Sequence, residues 1–150
     1  INVAFVCLGN ICRSPMAELV FKNMVKEHGL SAYFNVTSFG TSDEEEGNPI
    51  YPPAKKTLIL HGIPGSHTAK QLAFADVKNN DYILVMGLAG WQYSSRVYKL
   101  CSFTENPRDV SDPYYSRNFE KAFSDIEDGC KGFLNFIVKE KNLPYEYGDN

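Results

Sequence analysis

Near its start the chain carries Cys7-Leu8-Gly9-Asn10-Ile11-Cys12-Arg13-Ser14, a cysteine and an arginine separated by five residues and followed by a hydroxyl and Pro15. A cysteine becomes a nucleophile as its thiolate. An arginine offers two phosphoryl oxygens a planar fork of donors that the point charge of a lysine does not match. Gly9 permits close approach of the backbone, and Asn10 is among the few non-glycine types that tolerate a left-handed conformation in a tight cradle. The pattern reads as a phosphate-binding catalytic loop, with Cys7 as nucleophile and Arg13 as clamp. Taken alone, Cys7 reads more simply as a small buried hydrophobe at a strand end; the spaced partners are what favour chemistry.

Such a loop must be held at both ends. Ile1-Asn2-Val3-Ala4-Phe5-Val6 is β-rich and apolar, as a buried parallel strand would be, and Ser14-Pro15 opens a helix with an N-cap hydroxyl and a first-turn proline. Unpaired N–H groups and the positive end of a helix dipole converge at that junction, where an oxyanion or a thiolate is stabilised. Downstream, residues 16–28 form an amphipathic helix stopped by Gly29, 33–38 alternate as a strand, 53–61 form a helix ending at Gly62, and 82–86 are a short buried strand. Residues 88–96 read as helix and 99–103 as a fourth strand, and Phe119, Phe123, Ile126, Cys130, Phe133 and Ile137 mark a long terminal helix. Alternating β and α predicts an α/β fold: three α/β/α layers, a four-stranded parallel sheet with helices on both faces, and the phosphate-binding loop after the first strand. Ligands in such sheets bind beyond the carboxyl ends of strands, where Cys7 lies. His28 and His61, each just before a helix-ending glycine, read as partners of the C-terminal dipole, and Cys101 and Cys130 as structural, on a strand and on a core helix face.

Composition bounds the possibilities. With 150 residues, 43% hydrophobic and 13% aromatic, the chain can bury the core of a single domain spanning 1–150 without disulfides or metals. A net charge of −3 argues against nucleic-acid binding through the overall field. Four cysteines without paired CxxC spacing, no secretory leader and no membrane-length apolar run point to a reduced cytoplasmic setting away from membranes. The chain begins without methionine, so a trimmed or missing natural N-terminus is expected. No Walker-type cofactor loop occurs, and neither cofactor nor metal is expected, Arg13 and backbone dipoles taking the part of a cation.

Residues 5–18, Phe5-Val6-Cys7-Leu8-Gly9-Asn10-Ile11-Cys12-Arg13-Ser14-Pro15-Met16-Ala17-Glu18, resemble the low-molecular-weight protein tyrosine phosphatases nearly residue for residue. Gly40-Thr41-Ser42-Asp43, Gly47 and Pro49, Gly62-Ile63-Pro64 with Ser66-His67, Asp81-Tyr82-Ile83-Leu84-Val85-Met86, and Asp112-Pro113-Tyr114-Tyr115 follow in that family's order, over essentially the whole chain. The resemblance implies hydrolysis of phosphotyrosine in proteins, and of small aryl phosphates, through a phosphocysteine on Cys7, with phosphate-like oxyanions as inhibitors. From spacing alone Asp112-Pro113 is a turn starter; the resemblance makes Asp112 the acid that protonates the leaving phenolate and later the base for water. It also implies that Tyr114 and Tyr115 wall the cleft with Leu8 and Ile11, and that the Ser14 hydroxyl donates to the thiolate. Asn10 with His67 would fix the strained loop, and a reversible disulfide between Cys7 and Cys12 would shield the nucleophile.

Three departures qualify the match. Glu44-Glu45-Glu46 stands where the family often has an aromatic residue, so Glu44 would bring negative charge to the rim; Gly87 and Gly90 stand where an aspartate and an asparagine are common; Lys70 stands where arginine is common. An arsenate reductase of this fold would need resolving cysteines near 111–115, and an arginine phosphatase tends to carry threonine where this chain has Ile11. A phosphotyrosine-binding module without turnover would lack Cys7, Arg13 or Asp112, and all three are present. The expected protein is a monomer.

Overall fold

The computed structural model describes residues 1–87 and 95–144. Four strands, β1 (Asn2–Cys7), β2 (Asn35–Gly40), β3 (Tyr82–Val85) and β4 (Val97–Lys99), form one parallel sheet in the order β2-β1-β3-β4. Around it lie α1 (Arg13–Glu27), α2 (Pro52–Leu60), α3 (Phe74–Asn79), α4 (Pro113–Ser116) and α5 (Phe119–Lys141). The alternation of β1 divides the core. Val3 and Phe5 face the large cluster built with α1 and α5, while Ala4 and Val6 face a smaller one with Phe39, Ile83 and Val85, met by Leu72 and by Val77 of α3. The expected α/β/α layering with its central parallel sheet is the observed architecture.

Helix α1 buries Met16, Ala17, Val20, Phe21 and Met24, the positions its periodicity marks. Phe21 sits at the centre of an aromatic cluster, 5.8 Å from Phe5, 5.3 Å from Phe34 and 5.5 Å from Phe133 between ring centroids. At roughly 1.5–3 kcal/mol per fully buried large apolar side chain, this contact fastens α1 to both β1 and α5. Gly29, at φ 69°, ends the helix as expected: Leu30 N–H bonds the Val25 carbonyl at 2.7 Å.

Several boundaries differ from the sequence-based expectation. Ser14 is not the N-cap: Cys12 is, and Met16 N–H already bonds the Cys12 carbonyl at 3.1 Å, so Arg13 and Ser14 lie inside the first turn and the serine hydroxyl is free for other partners. The second strand begins at Asn35, because residues Ser31–Tyr33 form a 3-10 turn. The fourth strand is displaced as well: it occupies Val97–Lys99, and Leu100–Phe103 turns away from the sheet as a 3-10 segment carrying Cys101. Two glycines of α5 explain that turn. A β-carbon at Gly129 would lie 2.6 Å from Leu100 Cγ, and one at Gly132 would collide with the Phe103 carbonyl, so the segment packs directly onto helix backbone. His61 does more than cap a dipole, since its ring stacks on Phe123 at 3.9 Å and its Nε2 lies 2.7 Å from Glu120 Oε1, tying α2 to α5. The expected helix at 88–96 and the substitution at Gly90 fall largely or wholly outside the described residues.

Candidate active site

The segment between β1 and α1 is shaped by where its carbonyls go. The Cys7 carbonyl accepts from Thr41 N–H at 2.9 Å, the Leu8 carbonyl from Ser42 N–H at 3.0 Å and the Ile11 carbonyl from Tyr51 N–H at 2.8 Å. A trans peptide points its N–H opposite to its C=O, so the amides of Leu8, Gly9 and Cys12 are turned away from those outer partners. Asn10 bends the loop at φ 59°. Gly40 leaves room for the bend: a β-carbon there would sit 2.9 Å from the Leu8 carbonyl oxygen and 3.1 Å from Asn10 Cβ.

Asn10 is 1% exposed and every polar atom of its side chain is used. Its Oδ1 accepts from Lys70 N–H at 3.0 Å, and its Nδ2 donates to Ser14 Oγ at 2.8 Å and Ser38 Oγ at 3.1 Å. His67 Nε2 lies 2.6 Å from the same Oδ1; because that oxygen is an acceptor, Nε2 carries the hydrogen. Behind them Glu18, 5% exposed, accepts from Ser38 Oγ at 2.6 Å and Lys22 Nζ at 2.6 Å and faces His67 Nδ1 at 3.3 Å. Burial pushes the His67 imidazole below its ordinary pKa, with Lys22 and Lys70 acting the same way against the pull of Glu18. The hydrogen bond that residue 70 gives this network comes from its backbone N–H, so lysine in place of arginine leaves that bond intact.

Two groups converge on the Cys7 sulfur. Asn10 N–H donates to it at 3.3 Å, and Ser14 Oγ, which accepts from Asn10 Nδ2 and also reaches the Phe39 carbonyl at 3.5 Å, lies 2.9 Å away. Arg13 Nη1 donates to the Val110 carbonyl at 3.0 Å and Nη2 to Asp112 Oδ2 at 3.5 Å. Asp112 also caps α4, its Oδ1 accepting from Tyr114 N–H at 3.0 Å, so it is at once the turn starter its spacing suggests and a carboxylate beside Arg13.

One cleft of about 540 Å³ collects the expected residues Cys7, Leu8, Gly9, Asn10, Ile11, Cys12, Arg13, Glu44, Asp112, Tyr114 and Tyr115. Ser14 and His67 lie beneath it, touching Cys7 and Asn10 respectively. Tyr114 and Tyr115 are 72% and 82% exposed, and their rings meet edge to face at 5.1 Å. Cys7 and Cys12 are both free thiols, and burial, followed by the neighbouring Cys7, pushes the Cys12 thiol up to about 12. Glu45 of the acidic rim lines the cleft as well, its Cγ 3.4 Å from where a β-carbon at Gly9 would lie, whereas sequence reasoning missed Tyr51, Arg117 and Phe119 of the cleft wall and the roles of Glu18 and Ser38 below it. Phe119 looked like a core position because it begins the apolar stripe of α5; nothing local marks the others.

A cleft with Leu8, Ile11, Tyr51, Tyr114, Tyr115 and Phe119 in its wall and, at its base, a cysteine sulfur and an arginine on the loop that leads into a helix suits an aryl group joined to a tetrahedral oxyanion, as a phosphate-ester hydrolase requires. Comparison with known proteins narrows the class. Residues 2–143 match the family model of the low molecular weight phosphotyrosine protein phosphatases, and the chain belongs to that family. It is 37% identical over 155 residues to the low molecular weight protein-tyrosine-phosphatase YfkJ of Bacillus subtilis, covering 95% of this chain and 99% of that protein. It is 35% identical over 155 residues to PtpA of Staphylococcus saprophyticus, covering 97% and 99%. The crystal structure of YfkJ matches at a TM-score of 0.87 with 37% identity over 94% of this chain and 96% of that one. The protein tyrosine phosphatase of Entamoeba histolytica, solved with Hepes in its active site, matches at 0.87 with 29% identity over 94% and 99%. This protein is accordingly a hydrolase acting on phosphotyrosine, as the motifs imply.

Proposed function

We propose that Cys7 attacks the phosphorus of a phosphotyrosine in line with the aryl oxygen, forming an S–P bond as the P–O bond to the ring breaks. Asp112 gives its proton to the departing phenolate. As a carboxylate it then takes a proton from the water that cleaves the phosphocysteine, so inorganic phosphate leaves and the thiolate returns. Arg13 and the loop amides hold the equatorial oxygens throughout, and Ser14 donates to the thiolate. Peroxide oxidation would join Cys7 to Cys12 and protect the nucleophile until a thiol reduces the bond. The observation that carries the reading is the convergence on Cys7 Sγ of Asn10 N–H at 3.3 Å and Ser14 Oγ at 2.9 Å, beside an Arg13 that reaches Asp112. The test is hydrolysis of a phosphotyrosine peptide in chelator, beside phosphoserine and phosphoarginine peptides, by wild type and Cys7→Ser. Turnover of phosphotyrosine alone, lost in the variant, supports it; phosphoarginine turnover, or binding without turnover, contradicts it.

Glu44 and Glu45 on the cleft wall give the rim negative charge where an apolar contact would otherwise lie. Peptides with basic residues beside the phosphotyrosine should therefore show a higher kcat/KM than acidic ones, a difference that shrinks with salt and in Glu44→Gln; equal values would contradict this. The single domain over residues 1–150, a monomeric state, a cytoplasmic setting and inhibition by phosphate-like oxyanions complete the proposal. No described helix is long and apolar enough to cross a membrane.

A further inference from the structure

Asp125 projects from α5 and is 2% exposed, yet its carboxylate serves the catalytic side of the molecule. Its Oδ2 accepts from Ser111 N–H at 2.9 Å, and its Oδ1 accepts from Arg108 Nε at 3.0 Å and Lys121 Nζ at 2.8 Å. Arg108 continues to Asp128 at 3.0 Å and folds over the Asn106 carbonyl at 2.8 Å, so the segment leading to the cleft is fastened to α5 through one buried anion. The residues on either side of Ser111 are those that meet the reaction: the Val110 carbonyl holds Arg13 Nη1, and Asp112 faces Arg13 Nη2. Val110 N–H is tied in turn to the Met86 carbonyl at 2.8 Å, just past the end of β3.

We propose that Asp125 is a positioning residue for phosphoryl transfer, its carboxylate fixing the 110–112 segment so that Asp112 meets the leaving oxygen and the Val110 carbonyl aims Arg13. This rests on the reading of Asp112 as the acid. A carboxylate removed from water is costly unless its partners are well placed, and here one partner is the N–H of the Val110–Ser111 peptide, whose own carbonyl holds Arg13 and which lies one residue before Asp112. Restraining that peptide restrains both of them without Asp125 touching substrate.

The test compares kcat/KM, which reports the first phosphoryl transfer, for phenyl phosphate and for 2,4-dinitrophenyl phosphate, whose leaving group departs without a proton. Asp112→Asn is the reference and should depress the phenyl ester selectively, by about 10²–10⁴. Asp125→Ala is expected to lower the phenyl-to-dinitrophenyl ratio by about tenfold, and Asp125→Asn, which keeps an oxygen for Ser111 N–H, by less. The asparagine variant carries the test should the alanine protein not fold. A ratio equal to wild type in the folded Asp125 variants, with only thermal stability lowered, would overturn the proposal by reducing Asp125 to a structural ion pair. If Asp112→Asn itself left the ratio unchanged, the acid assignment would fail instead.

Discussion

Cys7 and Cys12 occupy the same loop but differ in surroundings. Cys12 is held as a thiol, its pKa pushed up to about 12 first by burial and then by the neighbouring sulfur, with Arg13 opposing. Cys101 is pushed up to about 11, also chiefly by burial. The Cys7 sulfur has the Asn10 N–H donating to it and the Ser14 hydroxyl 2.9 Å away, at the base of an open cleft. Iodoacetate at neutral pH should therefore alkylate Cys7 first, and inorganic phosphate should slow the reaction by filling the cradle. Fragment mass spectrometry of the peptide containing both cysteines checks this; equal labelling of the two, or rates indifferent to phosphate, would contradict the geometry.

At the level of elements, the loop depends on β2 as much as on the strand and helix it joins. Gly40, the last residue of β2, leaves no room for a side chain against the Leu8 carbonyl and Asn10. Gly40→Ala should destabilise the protein by about 1–3 kcal/mol and lower kcat/KM, as urea unfolding and steady-state kinetics would show; wild-type values in both would mean that the loop is not packed as described. The β1-loop-α1 unit was legible in the sequence because local apolar periodicity marks β1 and α1, although the helix starts at Arg13, one residue before the Ser-Pro step. The end of β4 was not: Leu100 and Cys101 have strand-like composition, and what turns them off the sheet is the bare backbone at Gly129 and Gly132, some thirty residues away. Long-range polar contacts escaped for a related reason. Ser38 and Glu18 act through Asn10 and His67, and residue 70 acts through its N–H, which no side-chain pattern reveals.

Across the whole molecule, one aromatic cluster joins sheet, α1 and α5. Phe21 is fully buried at its centre, so Phe21→Ala should cost about 3–5 kcal/mol in chemical unfolding. Acid sensitivity has an identifiable source in Asp125. Burial alone would raise its pKa, but Lys121, the Ser111 N–H and Arg108 together hold it below the ordinary carboxylate value of 3.8. A folded value below the unfolded one means that this stabilisation is complete above that value and is lost as pH falls through the folded one. Stability should thus decline below about pH 4, and less steeply in Asp125→Asn, as unfolding at a series of pH values would show; identical slopes would contradict the assignment.

In the proposed mechanism every phosphoryl group passes through Cys7. Rapid acid quenching of the enzyme during turnover of a phosphotyrosine peptide, followed by mass spectrometry, tests it most directly. One added phosphoryl group is expected on the peptide containing Cys7, located on that sulfur, and none in Cys7→Ser. Full turnover with no phosphorylated Cys7, or label on another residue, would contradict it.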